Sequence, residues 1–217
     1  MAQGLRERKK QQTRRRIHEV ATALFVERGF EHVTIAEVAE AAEVSVNTIY
    51  NYFQSKEDLV LPPDQASPQR LADIVRRRRH GESAARAVLD HLRDEVRRRD
   101  PRLGLTEGYD RVFQMMRAAP TLTARLEELG RQMTDALAAV LAEETGAGPD
   151  DPRPRVAAAQ IGSLHALVFT EIGELITAGR SPDAIAGTLT GLLDAAEDLL
   201  GRPLLTYATR KDRPCSG

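Results

Sequence analysis

The chain has 217 residues, 29% of them charged and 41% apolar, with a formal net charge of −1. Aromatics make up only 4%, β-branched runs are scarce, and Leu, Ala, Arg and Glu dominate, which favours an all-α protein over a sheet-built one. The length suits one large or two small domains, and the single Cys215 excludes a disulfide within the chain, as expected of a reducing cytoplasm. No apolar segment follows the basic start and no uninterrupted apolar run reaches membrane-spanning length, so a soluble cytoplasmic protein without membrane contact is expected.

The charge is unevenly placed. Residues 1–16 hold Arg6, Arg8, Lys9, Lys10, Arg14, Arg15 and Arg16 against Glu7 alone, the electrostatic footprint of a phosphate binder. Residues 1–7 read as disordered. Over residues 9–28, Ile17, Val20, Ala21, Leu24 and Phe25 form a helical stripe that Gly29 closes. His18 and His32, isolated in sequence, read as surface or helix-end residues.

Two short helices are predicted over residues 34–56. Thr34 and Glu37 have capping-box spacing, and Ile35, Val38, Ala39 and Ala42 recur on one face. Ser45 is a good N-cap for a second helix over residues 45–53, with Ile49 and Phe53 turned inward. The remaining Val46, Asn47, Thr48, Tyr50, Asn51 and Tyr52, with Lys56 beyond, suit phosphates and base edges. This is helix-turn-helix chemistry, in which the second helix enters the major groove.

The run T-I-A-E-V-A-E-A-A-E-V-S-V-N-T-I-Y-N-Y-F-Q-S-K-E-D-L closely resembles the DNA-binding signature of the TetR family of transcriptional regulators. The upstream R-R-R-I-H-E-V-A-T-A-L-F-V-E-R-G-F is similar to that family's first helix. The resemblance implies an N-terminal three-helix helix-turn-helix domain over residues 1–60. It further implies a larger helical effector-binding and dimerisation domain over 61–203. Past Pro203 the residues themselves read as a disordered tail over 204–217. Carried over by position, Thr34, Ser45, Thr48, Tyr50, Tyr52 and Lys56 are the expected phosphate contacts. Val46, Asn47 and Asn51 are the expected base readers: Asn to adenine, Val to a thymine methyl. One departure stands out. Glu43 occupies the turn position where the family usually has Gly, at a cost of roughly 1 kcal/mol if φ is positive there.

Downstream, Ser55 and Asp58 cap a helix that Pro62 and Pro63 interrupt, the expected domain boundary. A helix then runs from about residue 68 to 79, with Leu71, Ile74 and Val75 on one side and Arg76 to Arg79 as a solvated end. Residues 82–99 follow, with Ala85, Val88, Leu89, Leu92 and Val96 inward. Further helices are expected over 106–118 and 121–145, then a Pro/Gly loop. Residues 155–178 are apolar nearly all round, which requires burial on more than one side. Ser181 and Pro182 cap a last helix over 182–200. These two final helices would pair with their copies as a four-helix bundle, the homodimer interface that the resemblance also implies.

No metal-ligand spacing, phosphate loop or nucleophile elbow occurs, so neither an enzyme nor a cofactor nor a metal site is expected. Tyr109, Phe113 and Met116 offer aromatic and adaptable apolar surface, and His165 and Phe169 lie on the apolar helix. The resemblance places a small-molecule effector pocket in this region, and these five residues are its candidates. The expected partners are a double-stranded DNA operator, pseudo-palindromic for a dimer, and an effector that releases it. The competing expectation is a helical small-molecule sensor or interaction protein with weakened or lost DNA reading, for which Glu43 and the neutral Val46 speak.

Overall fold

A computed structural model describes residues 2–61, 66–105 and 109–210. The Pro62 and Pro63 boundary, the start of the helix expected at 106, and the tail from 211 with Cys215 lie outside the described residues. The described residues are all-helical. The α-helices are α1 (Ala2–Arg28), α2 (Ile35–Ala41), α3 (Val46–Tyr50), α4 (Arg70–Arg77), α5 (Ala84–Arg97), α6 (Tyr109–Ala118), α7 (Pro120–Thr145), α8 (Arg153–Thr177) and α9 (Pro182–Thr206). Single 3-10 turns lie at Phe30–His32, Glu57–Leu59 and Pro101–Leu103.

The chain forms two compact units: Met1–Ser67 with Asp110–Glu127, and Pro68–Tyr109 with Glu128–Gly217. In the first, Ile17, Ala21 and Phe25 of α1 bury their stripe with Val38, Ile49, Phe53 and Leu59, each at most 2% exposed. Burial of each large side chain contributes about 1.5–3 kcal/mol. Gly29 ends α1 with φ 86°, a conformation a residue with a Cβ rarely adopts, and lets Phe30 fold back to 5.0 Å from Phe25. His18 is no surface residue. Its Nδ1 is 2.8 Å from the Leu59 carbonyl, and since a carbonyl only accepts, Nδ1 carries the proton. The helix expected from Ser55 is a single 3-10 turn; Ser55 Oγ still accepts from the Asp58 amide at 3.3 Å.

In the second unit α5 packs against α4 and α9, and α9 against α8. Its core includes Leu71, Val75, Val88, Leu92, Leu137, Leu141, Ile161, Val168, Ile185, Leu189 and Leu193. Gly162 lets α8 meet α7 closely: a Cβ there would lie 2.4 Å from Thr134 Oγ1. Arg78 is not part of a solvated end; its side chain is 2% exposed. Its guanidinium donates to the Val75, Glu82 and Ala208 carbonyls and, at 3.1 and 2.5 Å, to the Glu144 carboxylate. The segment after α9 is strapped to the same turn by two backbone bonds, Gly81 to Arg210 and Arg210 to Glu82. Residues 204–210 are therefore built into the fold, α9 continuing past a kink at Gly201 to Thr206. Pro203, lacking an N–H, accounts for the break.

The helix α1 starts at Ala2, well before the expected residue 9. More telling is α8. Within one chain only one side of it is covered, and Val156 and Leu167 remain 55% and 48% exposed. By length and composition α8 is also apolar enough to cross a membrane, with 39% of that stretch buried in the fold.

Candidate nucleic-acid interface

Local chemistry sets the two helices of the motif. The Thr34 amide donates to Glu37 Oε2 at 2.8 Å and the Glu37 amide to Thr34 Oγ1 at 3.3 Å, closing both arms of the capping box. The bond from the Thr34 amide, reinforced by Arg28 at 2.5 Å, holds the Glu37 carboxyl down at about 2. The turn between α2 and α3 passes through Glu43 at φ 53°, so the position does demand a left-handed residue and Glu occupies it. Ser45 Oγ accepts from the Thr48 amide at 3.0 Å and caps α3.

Ile49 anchors α3 in the core at 1% exposed, and this orients everything else on the helix. Val46 is 39% and Tyr50 55% exposed, with Asn47 and Asn51 also exposed and Thr48 and Tyr52 half-buried. Ser45 and Thr48 share a hydroxyl–hydroxyl contact of 2.8 Å. Thr34 Oγ1 is committed to Glu37, so this residue presents its backbone start of α2 more than a free hydroxyl. The Lys56 Nζ lies 4.4 Å from the Phe30 ring centre and 5.7 Å from that of Phe25. The two rings thus hold the ammonium by cation–π attraction. Arg14 joins this surface: its guanidinium stands 5.5 Å over the Phe53 ring and its buried Nε makes no hydrogen bond. Sequence reasoning counted Arg14 only as part of the basic arm, because its meeting with Phe53 depends on how α1 packs.

The effector candidates divide between the two units. Phe113 and Met116 belong to the unit carrying the helix-turn-helix, Met116 buried and Phe113 half-buried. Tyr109, His165 and Phe169 belong to the other. Tyr109 lays its ring against Gly104, where a Cβ would come within 2.5 Å, and burial raises its phenol. His165 and Phe169 bring their rings to 4.7 Å. In the first unit α6 also borders an open groove of about 530 Å³ lined by Phe25, Phe30, His32, Arg111 and Met115. Among the described residues no group of three or more His, Cys, Asp or Glu is placed to hold a metal ion.

Residues 17–61 match the family described as bacterial regulatory proteins, tetR family. The HTH-type transcriptional regulator TcmR of Streptomyces glaucescens is 32% identical over 187 residues, covering 80% of this chain and 75% of TcmR. The protein belongs to the TetR family. As a TetR-family protein it is a DNA-binding transcriptional regulator, and its homologues are regulators, not enzymes. The regulator LuxR of Vibrio harveyi is 43% identical over 47 residues, 22% of this chain and 23% of LuxR. Among solved structures, NalD, the secondary repressor of the MexAB-OprM multidrug efflux pump in Pseudomonas aeruginosa, aligns with a TM-score of 0.49. That alignment has 20% identity over 87% of this chain and 97% of NalD.

Proposed function

We propose that this TetR-family regulator is a cytoplasmic, ligand-responsive repressor that binds a pseudo-palindromic operator as a homodimer. The observation that carries the reading is the exposed face of α3. A helix anchored by one buried Ile49 turns Val46, Asn47, Tyr50 and Asn51 outward, flanked by Ser45, Thr48, Tyr52 and Lys56. In this reading Asn47 or Asn51 addresses adenine, Val46 a thymine methyl, and Tyr50, Tyr52, Lys56, Ser45, Thr48 and the start of α2 at Thr34 take phosphates.

The dimer reading rests on α8 and α9. Val156 and Leu167 on α8 and Leu199 on α9 are exposed, and a Cβ at Gly187 or Gly191 would meet nothing within 4 Å. An apolar, close-approach surface of this kind is complementary to a second copy of itself across a twofold axis. Half-sites about one helical turn or a multiple apart follow. An effector that alters the spacing of the two α3 helices then releases one half-site, with a coupling of about 1–3 kcal/mol.

The test is fluorescence anisotropy of the purified protein on DNA flanking its own gene, over a salt series. Selective binding is expected, weakened in Tyr50→Phe and in Lys56→Ala, the latter also flattening the log–log salt slope by about one. Equal weak binding to every DNA, indifferent to both substitutions, would mean that α3 does not read DNA.

A further inference from the structure

Among the described residues of the second unit, two buried polar side-chain atoms have no hydrogen-bond partner: Nε of Arg70 on α4 and Nε2 of His165 on α8. Native interiors leave few such atoms, because each has given up water and gained nothing in exchange. These two are not scattered. Arg70 Nη2 donates to both carboxylate oxygens of Glu95 on α5, at 2.9 and 2.7 Å, and His91 Nε2 stands 3.4 Å from the same carboxylate. His165 lies within electrostatic reach of Arg70, Glu95 and His91. The Arg70 and Glu95 side chains are only 7% and 1% exposed, and the His165 ring packs on Phe169. A purely structural ion pair gains most when every donor around it is satisfied. This one leaves a fixed N–H donor of Arg70 unsatisfied, and His165 adds an unsatisfied imidazole nitrogen on a ring packed against Phe169.

We propose that Arg70 and His165 are the polar recognition point of the effector site, and that the effector is a flat, mainly apolar molecule offering an uncharged oxygen acceptor such as a ketone. The inference rests on the ligand-responsive reading given above. The donor type follows from Arg70, whose Nε–H can only donate. The absence of charge follows from the groups present. Glu95 already neutralises Arg70, and burial keeps the His165 imidazole neutral, so among the described residues beside them a ligand carboxylate would meet no uncommitted cation. The flat apolar body follows from the Phe169 and His165 rings, which favour stacked or tilted aromatic partners.

Three probes with one ring system separate these features: naphthalene, 2-acetonaphthone and 2-naphthoate, titrated by calorimetry into the wild type, Arg70→Lys and His165→Leu. Arg70→Lys keeps the positive charge beside Glu95 but has no Nε–H. The wild type is expected to bind the ketone about tenfold or more tighter than either other probe, and each variant to reduce that advantage below about threefold. Circular dichroism melts report folding, and unliganded His165→Leu is expected to melt at or up to about 4 °C above the wild type, having lost an unpaired polar atom. Tightest binding of 2-naphthoate would overturn the uncharged acceptor. Equal affinities, no binding, or a melting point more than about 4 °C lower in His165→Leu would overturn the site, the last by making the imidazole structural. Operator binding is measured on the same preparations. A wild type that binds operator but shows no ketone preference leaves the regulator standing and removes only this inference, whereas one that does neither removes both.

Discussion

Glu43 carries a strained backbone for no visible side-chain return. At φ 53° a residue with a Cβ loses roughly 1–2 kcal/mol, which glycine avoids at a smaller entropic cost in the unfolded chain. Glu43→Gly is therefore expected to raise stability by about 1 kcal/mol, seen as a melting point about 2–4 °C higher. A lower melting point would show that Glu43 is held by something other than its turn. His165 gives a pH signature. Burial, aided by the Arg70 charge, lowers its pKa to about 4 from the ordinary 6.5. Between those values the unfolded chain binds a proton that the folded one refuses, so stability falls as pH drops from about 6.5 toward 4. Burial moves His18 the same way. For Glu95, burial alone would raise the carboxyl, but the His91 hydrogen bond and the Arg70 guanidinium outweigh it and hold it at about 2. Its contribution is complete above the ordinary carboxylate range and is lost only as pH falls toward 2, outside the histidine window. Urea unfolding at pH 7 and pH 5 is expected to differ by about 2 kcal/mol in the wild type, and by clearly less in His165→Leu.

Among the elements, those closed by local chemistry were legible and those closed at a distance were not. The capping box of α2 and the Ser45 cap of α3 join residues three apart, so sequence spacing is enough to foresee them. The 3-10 turn after Ser55 and the length of α9 are not legible in local spacing, since their limits depend on what the chain meets next. Arg78 makes the point most clearly. Its partners Glu144 and Ala208 lie 66 and 130 residues away, and a run of four arginines at a helix end otherwise reads as solvated. Arg78→Ala strands the Ala208 carbonyl, takes the guanidinium from the Glu144 carboxylate and removes one tie of the terminal strap, and is expected to cost about 3 kcal/mol in chemical denaturation. A loss below about 0.5 kcal/mol, the size typical of surface changes, would return Arg78 to the solvated class.

At the scale of the whole molecule the open question for one chain is what covers α8. The proposed twofold partner predicts that Leu167→Glu yields a monomer in size-exclusion chromatography and weakens operator binding by at least about tenfold, because two linked half-sites reinforce each other. An unchanged dimer would place the interface elsewhere. Family membership, the all-helical class and the helix-turn-helix were all determined by the sequence alone. Caps, apolar periodicity and the run from Thr34 to Lys56 are short-range patterns that survive without knowledge of packing. Only the tertiary structure decided that His18 ties α1 to Leu59, that Arg14 and Lys56 rest on aromatic rings beside α3, and that Arg70 pairs with Glu95. Each of those arrangements joins residues far apart in the chain. What sets it is the burial of an apolar face, which brings together polar groups whose meeting no local spacing encodes.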